Sequence, residues 1–156
     1  MSQLLRVPFE TQLEDGYCLP ACVSMVLAFL GMPAKQKGVA KLLATNDAGT
    51  PFSRLNRLAS HDVQVEVGAN GTLDRLSTEI QTSIPVIAAV QTGWLPHAEI
   101  ISPHVVVVIG VSDADVMILD PAGNDKPKGV PINAWLAAWI EMDCVFAVIS
   151  RRIHRR

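Results

Sequence analysis

The stretch Cys18-Leu-Pro-Ala-Cys-Val-Ser-Met-Val-Leu-Ala-Phe-Leu-Gly31 decides the architecture, because between Ala21 and Leu30 only Ser24 is polar. Pro20 suits a first helical turn, whose N–H groups have no partner within the helix, and Gly31 suits the left-handed residue that ends one. The pattern predicts a helix opened by Pro20 and closed by Gly31. A helix that is apolar on all sides is buried on all sides. The rest of the chain must therefore wrap it.

Amphipathic segments follow at Lys35 to Ala44, at Pro51 to Ala59 with Thr50 as cap, and at Leu73 to Ile80 with Thr72 as cap. Strand signals then take over. Val63 to Val67 alternates with period two, Pro85 to Val90 is a short apolar run, and Val105 to Val111 is almost entirely β-branched. Val116 to Leu119 forms a further strand, joined to its predecessor through Ser112-Asp-Ala-Asp115, which reads as a hairpin turn. Asn133 is placed to cap a short helix carrying Trp135, Leu136, Trp139 and Ile140, and Cys144 to Ile149 gives a last strand. Helices first and an antiparallel sheet after them make an α+β fold.

The chain has 156 residues, 49% of them apolar and 18% charged, enough for one domain with a well-filled core. No linker, repeat or low-complexity segment divides it, so residues 1–150 read as the domain and 151–156 as a basic, solvated tail. No apolar run approaches the roughly 18 residues of a membrane span, and Met-Ser-Gln-Leu-Leu-Arg at the start lacks the form of a secretory signal. The cytoplasm is the expected location. A net charge of −2 gives no footprint for nucleic acid. Three cysteines, an odd count, are expected to be free thiols.

Cys18 stands just before the helix opened by Pro20, where unpaired N–H groups and the helix dipole favour a thiolate and can hold an oxyanion. It is the candidate nucleophile. Cys22 belongs to the helix body and Cys144 heads a strand, so both are expected to be inert. Among four histidines, His104 opens a very apolar strand, giving a rigid mount for a general base. His61 follows a surface helix, His154 lies in the tail, and His97 sits in the loop Gln91 to Pro103, where a role at the cleft rim is open but a solvated imidazole is the expectation. Asp120 closes the strand paired with the one His104 opens and can orient that ring. A three- or five-residue loop, or a single bulge, puts the two side chains on one sheet face; a four-residue loop without a bulge separates them. Gln12, six residues before Cys18, is the candidate second oxyanion donor beside the Cys18 N–H. The segment Thr92 to Ala98 can form a cleft wall, with Trp94 either there or in the core.

Taken in order, Val7-Pro8, Gln12, Cys18 to Gly31, Pro85-Val-Ile87, His104 to Gly110, Val116 to Pro121, the Trp135 to Trp139 helix and the last strand resemble the papain superfamily of cysteine peptidases. They are most similar to its bacterial branch that trims double-glycine leaders from bacteriocin precursors. The resemblance implies a papain-like fold, with Cys18 as nucleophile, His104 as general base and acid, Asp120 orienting His104, and Gln12 in the oxyanion hole. It implies no metal or organic cofactor and a peptide substrate, such as a ribosomal precursor. The family usually has Gly after the nucleophile, whereas Leu19 stands here, which bears on substrate selection. A zinc site through Cys18, Cys22 and a histidine lacks a second ligand pair of suitable spacing. A silent peptide binder, or a deamidase or ligase using the same groups, is the remaining alternative.

Overall fold

The computed structural model describes residues 3–154, so Arg155 and Arg156 of the basic tail, and Met1 and Ser2, lie outside the described residues. The first helix, α1, runs from Cys18 to Phe29 and buries every residue from Leu19 to Leu27. It begins two residues earlier than expected. Cys18 is its first helical residue and Pro20 the third, where the missing N–H is still no loss. At its end Gly31 takes φ +77°, its N–H bonds to the Ala28 carbonyl and that of Met32 to Leu27, which is the Schellman closure glycine permits.

Helix α2 (Gln36–Leu43) packs on α1. The segment Phe52–Leu58 is a 3-10 helix rather than the expected α-helix, and Thr50 does not cap it. Its flanking prolyl and alanyl residues are extended, and the Thr50 hydroxyl bonds to Thr45 instead. Strand β1 (Val63–Gly68) precedes α3 (Leu73–Gln81), which Thr72 caps as expected, its hydroxyl accepting from the Arg75 N–H. Then come β2 (Val86–Gln91), β3 (Pro103–Val111), β4 (Asp115–Leu119), β5 (Lys128–Pro131), α4 (Ile132–Ile140) and β6 (Phe146–Arg151).

The six strands make one antiparallel sheet in the order β1-β6-β2-β3-β4-β5. Residues 86–90 of β2 and 105–110 of β3 are buried without alternation, so both faces of the sheet centre are covered. Helix α1 contacts β3, α3 contacts β2 and β3, and α4 contacts β2, β4 and β5. Trp135 and Trp139 of α4 are fully buried, their rings 5.6 Å apart, and the Trp139 indole donates to the Val145 carbonyl. Asn133 lies inside α4 and caps nothing, because the extended Pro131 already occupies the cap position. Cys144 is not in the final strand. It sits with Asp143 in a positive-φ turn that closes α4 through its N–H to the Trp139 carbonyl.

Arg151 ends β6 and reaches the Leu30 carbonyl, while Arg152 bonds through its backbone to Asp62 and its side chain to Ser60. The chain just beyond residue 150 is thus moored to the body by hydrogen bonds while its residues 151–154 stay exposed.

Gly16 sits immediately ahead of α1 at φ +81°, and a Cβ added there would lie 2.3 Å from the Asn46 carbonyl oxygen. Only a residue without a side chain lets the segment leading into Cys18 press on the 46–49 turn. Gly16→Ala is expected to lower unfolding free energy by about 2–4 kcal/mol, from a strained backbone plus displacement of that turn. Urea titration followed by circular dichroism checks this; an unchanged midpoint would show that the turn yields freely.

Candidate active site

Four parts of the fold converge at the N-terminus of α1. The Cys18 side chain is half-buried there, and no side chain caps the helix. Because Pro20 has no N–H and that of Ala21 bonds to the Tyr17 carbonyl, the donors left for a ligand are those of Cys18 and Leu19. Leu19 points into the core, 1% exposed, and takes an ordinary helical backbone. It does not narrow the cleft.

His104 comes from the start of β3 and Asp120 from just beyond β4. The turn between the two strands spans four residues, 112–115, since Val111 pairs with Val116. Such a turn alone would set the two side chains on opposite faces. Between Val108 and Gly110 the register shifts by one residue, leaving Ile109 as a bulge, so that Val108 pairs with Ile118 and Val107 with Leu119. The bulge restores the common face. His104 Nε2 lies 2.7 Å from Asp120 Oδ1, and the Cys18 thiol lies close enough to the ring to act on its charge. A ring that gives Nε2–H to a carboxylate leaves Nδ1 to accept a proton from sulfur.

Asp120 is 5% exposed and ends β4 in a turn, with its Oδ1 also accepting the Ala122 N–H. Its second oxygen, Oδ2, is 2.7 Å from His97 Nε2. The solvated imidazole expected at His97 is therefore a correction: the loop between β2 and β3 folds back and hands its histidine to the same carboxylate. Burial alone would lower the His104 imidazole, but its hydrogen bond to Asp120, and the charges of Asp120 and Cys18, outweigh that and push it up to about 9. Burial would raise the Asp120 carboxyl. The His104 hydrogen bond and charge, then those of His97 and the Ala122 N–H, hold it well below the usual carboxylate range.

Gln12 reaches the site from the irregular segment before α1, where its backbone N–H bonds to the Pro121 carbonyl next to Asp120. Its Oε1 is buried without a partner, and its Nε2 makes only a 3.5 Å contact with the Glu14 carbonyl. The segment is held by a residue that the sequence pattern did not single out. Gln36, 3% exposed at the start of α2, accepts the Leu13 N–H and donates to the Thr11 carbonyl and the Glu10 carboxylate, so its amide brackets Gln12. A buried glutamine in an otherwise amphipathic helix is the signal that could have found it, but exposure is invisible in a sequence.

Cys22 is fully buried, its thiol donating to the Val105 carbonyl, and burial pushes it well up, followed by the charges of Cys18 and Asp120. It stays a packing residue. Cys144 is likewise raised by burial and then by Asp143. Trp94 lies outside the core, 51% exposed, with its indole N–H on Glu141. Among the described residues, the side chains grouped closely enough to share a metal ion are His61, Asp62 and His154, all exposed, with the two imidazoles stacked. Neither Cys18 nor Cys22 is among them.

No helix among the described residues is long and apolar enough to cross a membrane. Among curated proteins none matches the sequence. Solved structures do resemble it in fold. A C39-like peptidase from Bacillus anthracis superposes with a TM-score of 0.83 at 18% identity, covering 99% of this chain and 100% of that one. A double glycine motif protease from an AMS/PCAT transporter, solved in complex with the leader peptide, gives 0.73 at 16% identity over 96% of this chain and 95% of its own. The peptidase domain of Streptococcus ComA, a bi-functional ABC transporter of a quorum-sensing pathway, gives 0.71 at 14% over 94% of this chain and 100% of its own. The shared fold is that of the C39, papain-like peptidase domains. With a family sequence model matching residues 4–146, nearly the whole chain, the protein belongs to the Peptidase_C39 like family.

Proposed function

We propose that this peptidase-family chain is a cysteine peptidase that cuts after small residues, as in double-glycine leader trimming. The observation that carries the reading is the His104 ring, set between the Cys18 thiol and the Asp120 carboxylate. His104 Nδ1 takes the Cys18 proton, the thiolate attacks the peptide carbonyl carbon, and the carbonyl oxygen becomes the oxyanion. The Cys18 N–H and the Gln12 side-chain amide receive it. Turning the Gln12 amide end over end forfeits only its long contact with Glu14 and brings the N–H donors to the buried position. Protonated His104 then gives its proton to the leaving amine. The same ring activates water to hydrolyse the thioester, returning free Cys18.

The substrate class rests on the fold likeness to a double glycine motif protease solved with a leader peptide. A ribosomal precursor peptide is the partner, and the cytoplasm, where such peptides are made, is the location. Residues 1–150 suffice as the catalytic body in this reading.

Limiting iodoacetamide across pH 5 to 9, with the label located by mass spectrometry, tests the nucleophile. Cys18 is expected to react selectively and already at acidic pH, and His104→Ala to abolish that preference. Equal labelling of all three thiols would overturn the reading. Peptides with Gly-Gly, Gly-Ala or Gly-Ser junctions should be cut by the wild type and not by Cys18→Ala. Release of ammonia without chain cleavage would assign the same groups to a deamidase.

Alkylation makes no oxyanion, so it separates the nucleophile from the oxyanion hole. Gln12→Ala is expected to label like the wild type while its turnover falls about 100-fold or more, the usual cost of one oxyanion donor. Gln36→Leu, which strips the amide that brackets Gln12, should follow the same pattern with about a tenfold loss, one hydrogen-bonded contact's worth of positioning. Slowed labelling in either variant would contradict this division of labour.

Folding stability should also depend on His104. Its folded value of about 9 lies above the ordinary histidine value of about 6.5, so the protonated ring stabilises fully below pH 6.5 and loses that contribution as pH rises through 9. Thermal midpoints are expected to fall over that interval and to flatten in His104→Gln.

A further inference from the structure

The chemistry above uses one oxygen of Asp120; the other is occupied as well. His97 Nε2 sits on Oδ2 at the same 2.7 Å at which His104 Nε2 sits on Oδ1. The terminal torsion of an aspartate is soft and roughly two-fold, so a carboxylate held at one oxygen can rock about that contact. A second donor at the opposite oxygen removes the rocking and fixes the carboxylate plane.

His97 does not belong to the sheet that carries His104 and Asp120. It comes from the segment 92–102, whose base is closed by the buried Thr92: its N–H bonds to the Ser102 carbonyl, and its hydroxyl accepts the Ser102 N–H and donates to the Ile100 carbonyl. Farther out, the Trp94 indole is tied to Glu141 at the end of α4. Along its length the segment exposes Trp94, Ile100 and Ile101. The His97 contact is the hydrogen bond by which this apolar loop reaches the residues of the proposed reaction. His104 from β3 is the other ionisable group acting on Asp120, whose charge in turn raises the buried Cys22 thiol of α1.

We infer that His97 is a positioning residue: by holding Asp120 Oδ2 it fixes the carboxylate against His104 and couples the alignment of that pair to the stance of the 92–102 loop, so that a peptide lying on Trp94, Ile100 and Ile101 is registered at Asp120. The inference rests on the Cys18–His104 reading and adds to it a link between the apolar loop and the reacting groups. No bond is made or broken at His97; it donates Nε2–H and keeps it.

Two readouts separate this role from a merely structural one. The first is the rate of Cys18 alkylation by iodoacetamide at pH 6, where reaction depends on His104 being held as imidazolium. His97→Ala is expected to slow it by about tenfold, the loss of one hydrogen bond to a charged group, while His97→Gln, whose Nε2 can still reach Oδ2, stays within about twofold of wild type. The second is acrylamide quenching of tryptophan fluorescence. It reads Trp94 almost alone, because Trp135 and Trp139 are fully buried. Quenching should rise in His97→Ala and not in His97→Gln. Should His97→Ala not fold, His97→Asn, too short to span the gap, replaces it.

Alkylation in His97→Ala identical to wild type, or equal slowing in His97→Ala and His97→Gln, would overturn the positioning role. Unchanged quenching would overturn the coupling to the loop, whether or not Cys18 is reactive. A wild type that shows no preference for Cys18 is a different outcome: it removes the cysteine-peptidase reading itself.

Discussion

Ile109, one residue inserted into β3, determines which side of the sheet faces which helix. Side chains alternate along a strand, so a shift of one position exchanges the two faces completely. With the four-residue turn at 112–115 and no bulge, His104 and Asp120 would be separated by the thickness of the sheet. The bulge is held in place from outside. The Ile109 carbonyl accepts the Leu5 N–H, and Gly110 beside it leaves room for the backbone of Gln3. The N-terminal segment therefore takes part in placing a histidine and an aspartate about a hundred residues away.

What the sheet positions on one side, α1 positions on the other. Its burial along nine consecutive residues leaves it no freedom to slide or roll, so the location of the Cys18 sulfur is set by core packing rather than by contacts of its own. The irregular segment before it is fixed by a different means, since loops have no ladder to hold them. Gly16 against the Asn46 carbonyl, Gln36 around Gln12, and the Gln12 N–H on the Pro121 carbonyl supply three attachments to three separate elements. The last of these joins the proposed oxyanion donor and the proposed orienting carboxylate through a single backbone hydrogen bond.

The features legible in the sequence are those written in local pattern. The apolar run of α1, the β-branched run of β3 and the Thr72 cap each specify their element without help from distant residues. Cys18, His104 and Asp120 could be picked out because each stands at the end of such an element. His97 could not, since the fold of its loop depends on Thr92 closing the base and on Glu141 meeting Trp94, neither of which has a periodic signature. Gln36 was hidden for a related reason: its amide is buried by a segment that has no regular structure. Strand β5, Lys-Gly-Val-Pro at 128–131, shows no strand propensity and is recruited by pairing with β4. Tertiary context likewise makes a 3-10 helix of 52–58 and turns Cys144 out of the last strand.

The place of β6 in the sheet carries a consequence for how the molecule comes into being. It lies between β1 and β2, pairing with both, although it is the last strand in the chain. While the polypeptide is being synthesised, β1 has no neighbour to pair with, and one side of β2 stays open, until residues 146–151 leave the ribosome. Nascent intermediates therefore present unpaired backbone on two strands, the condition under which chains pair with one another instead of with themselves. Zipping that central gap is a late, long-range step.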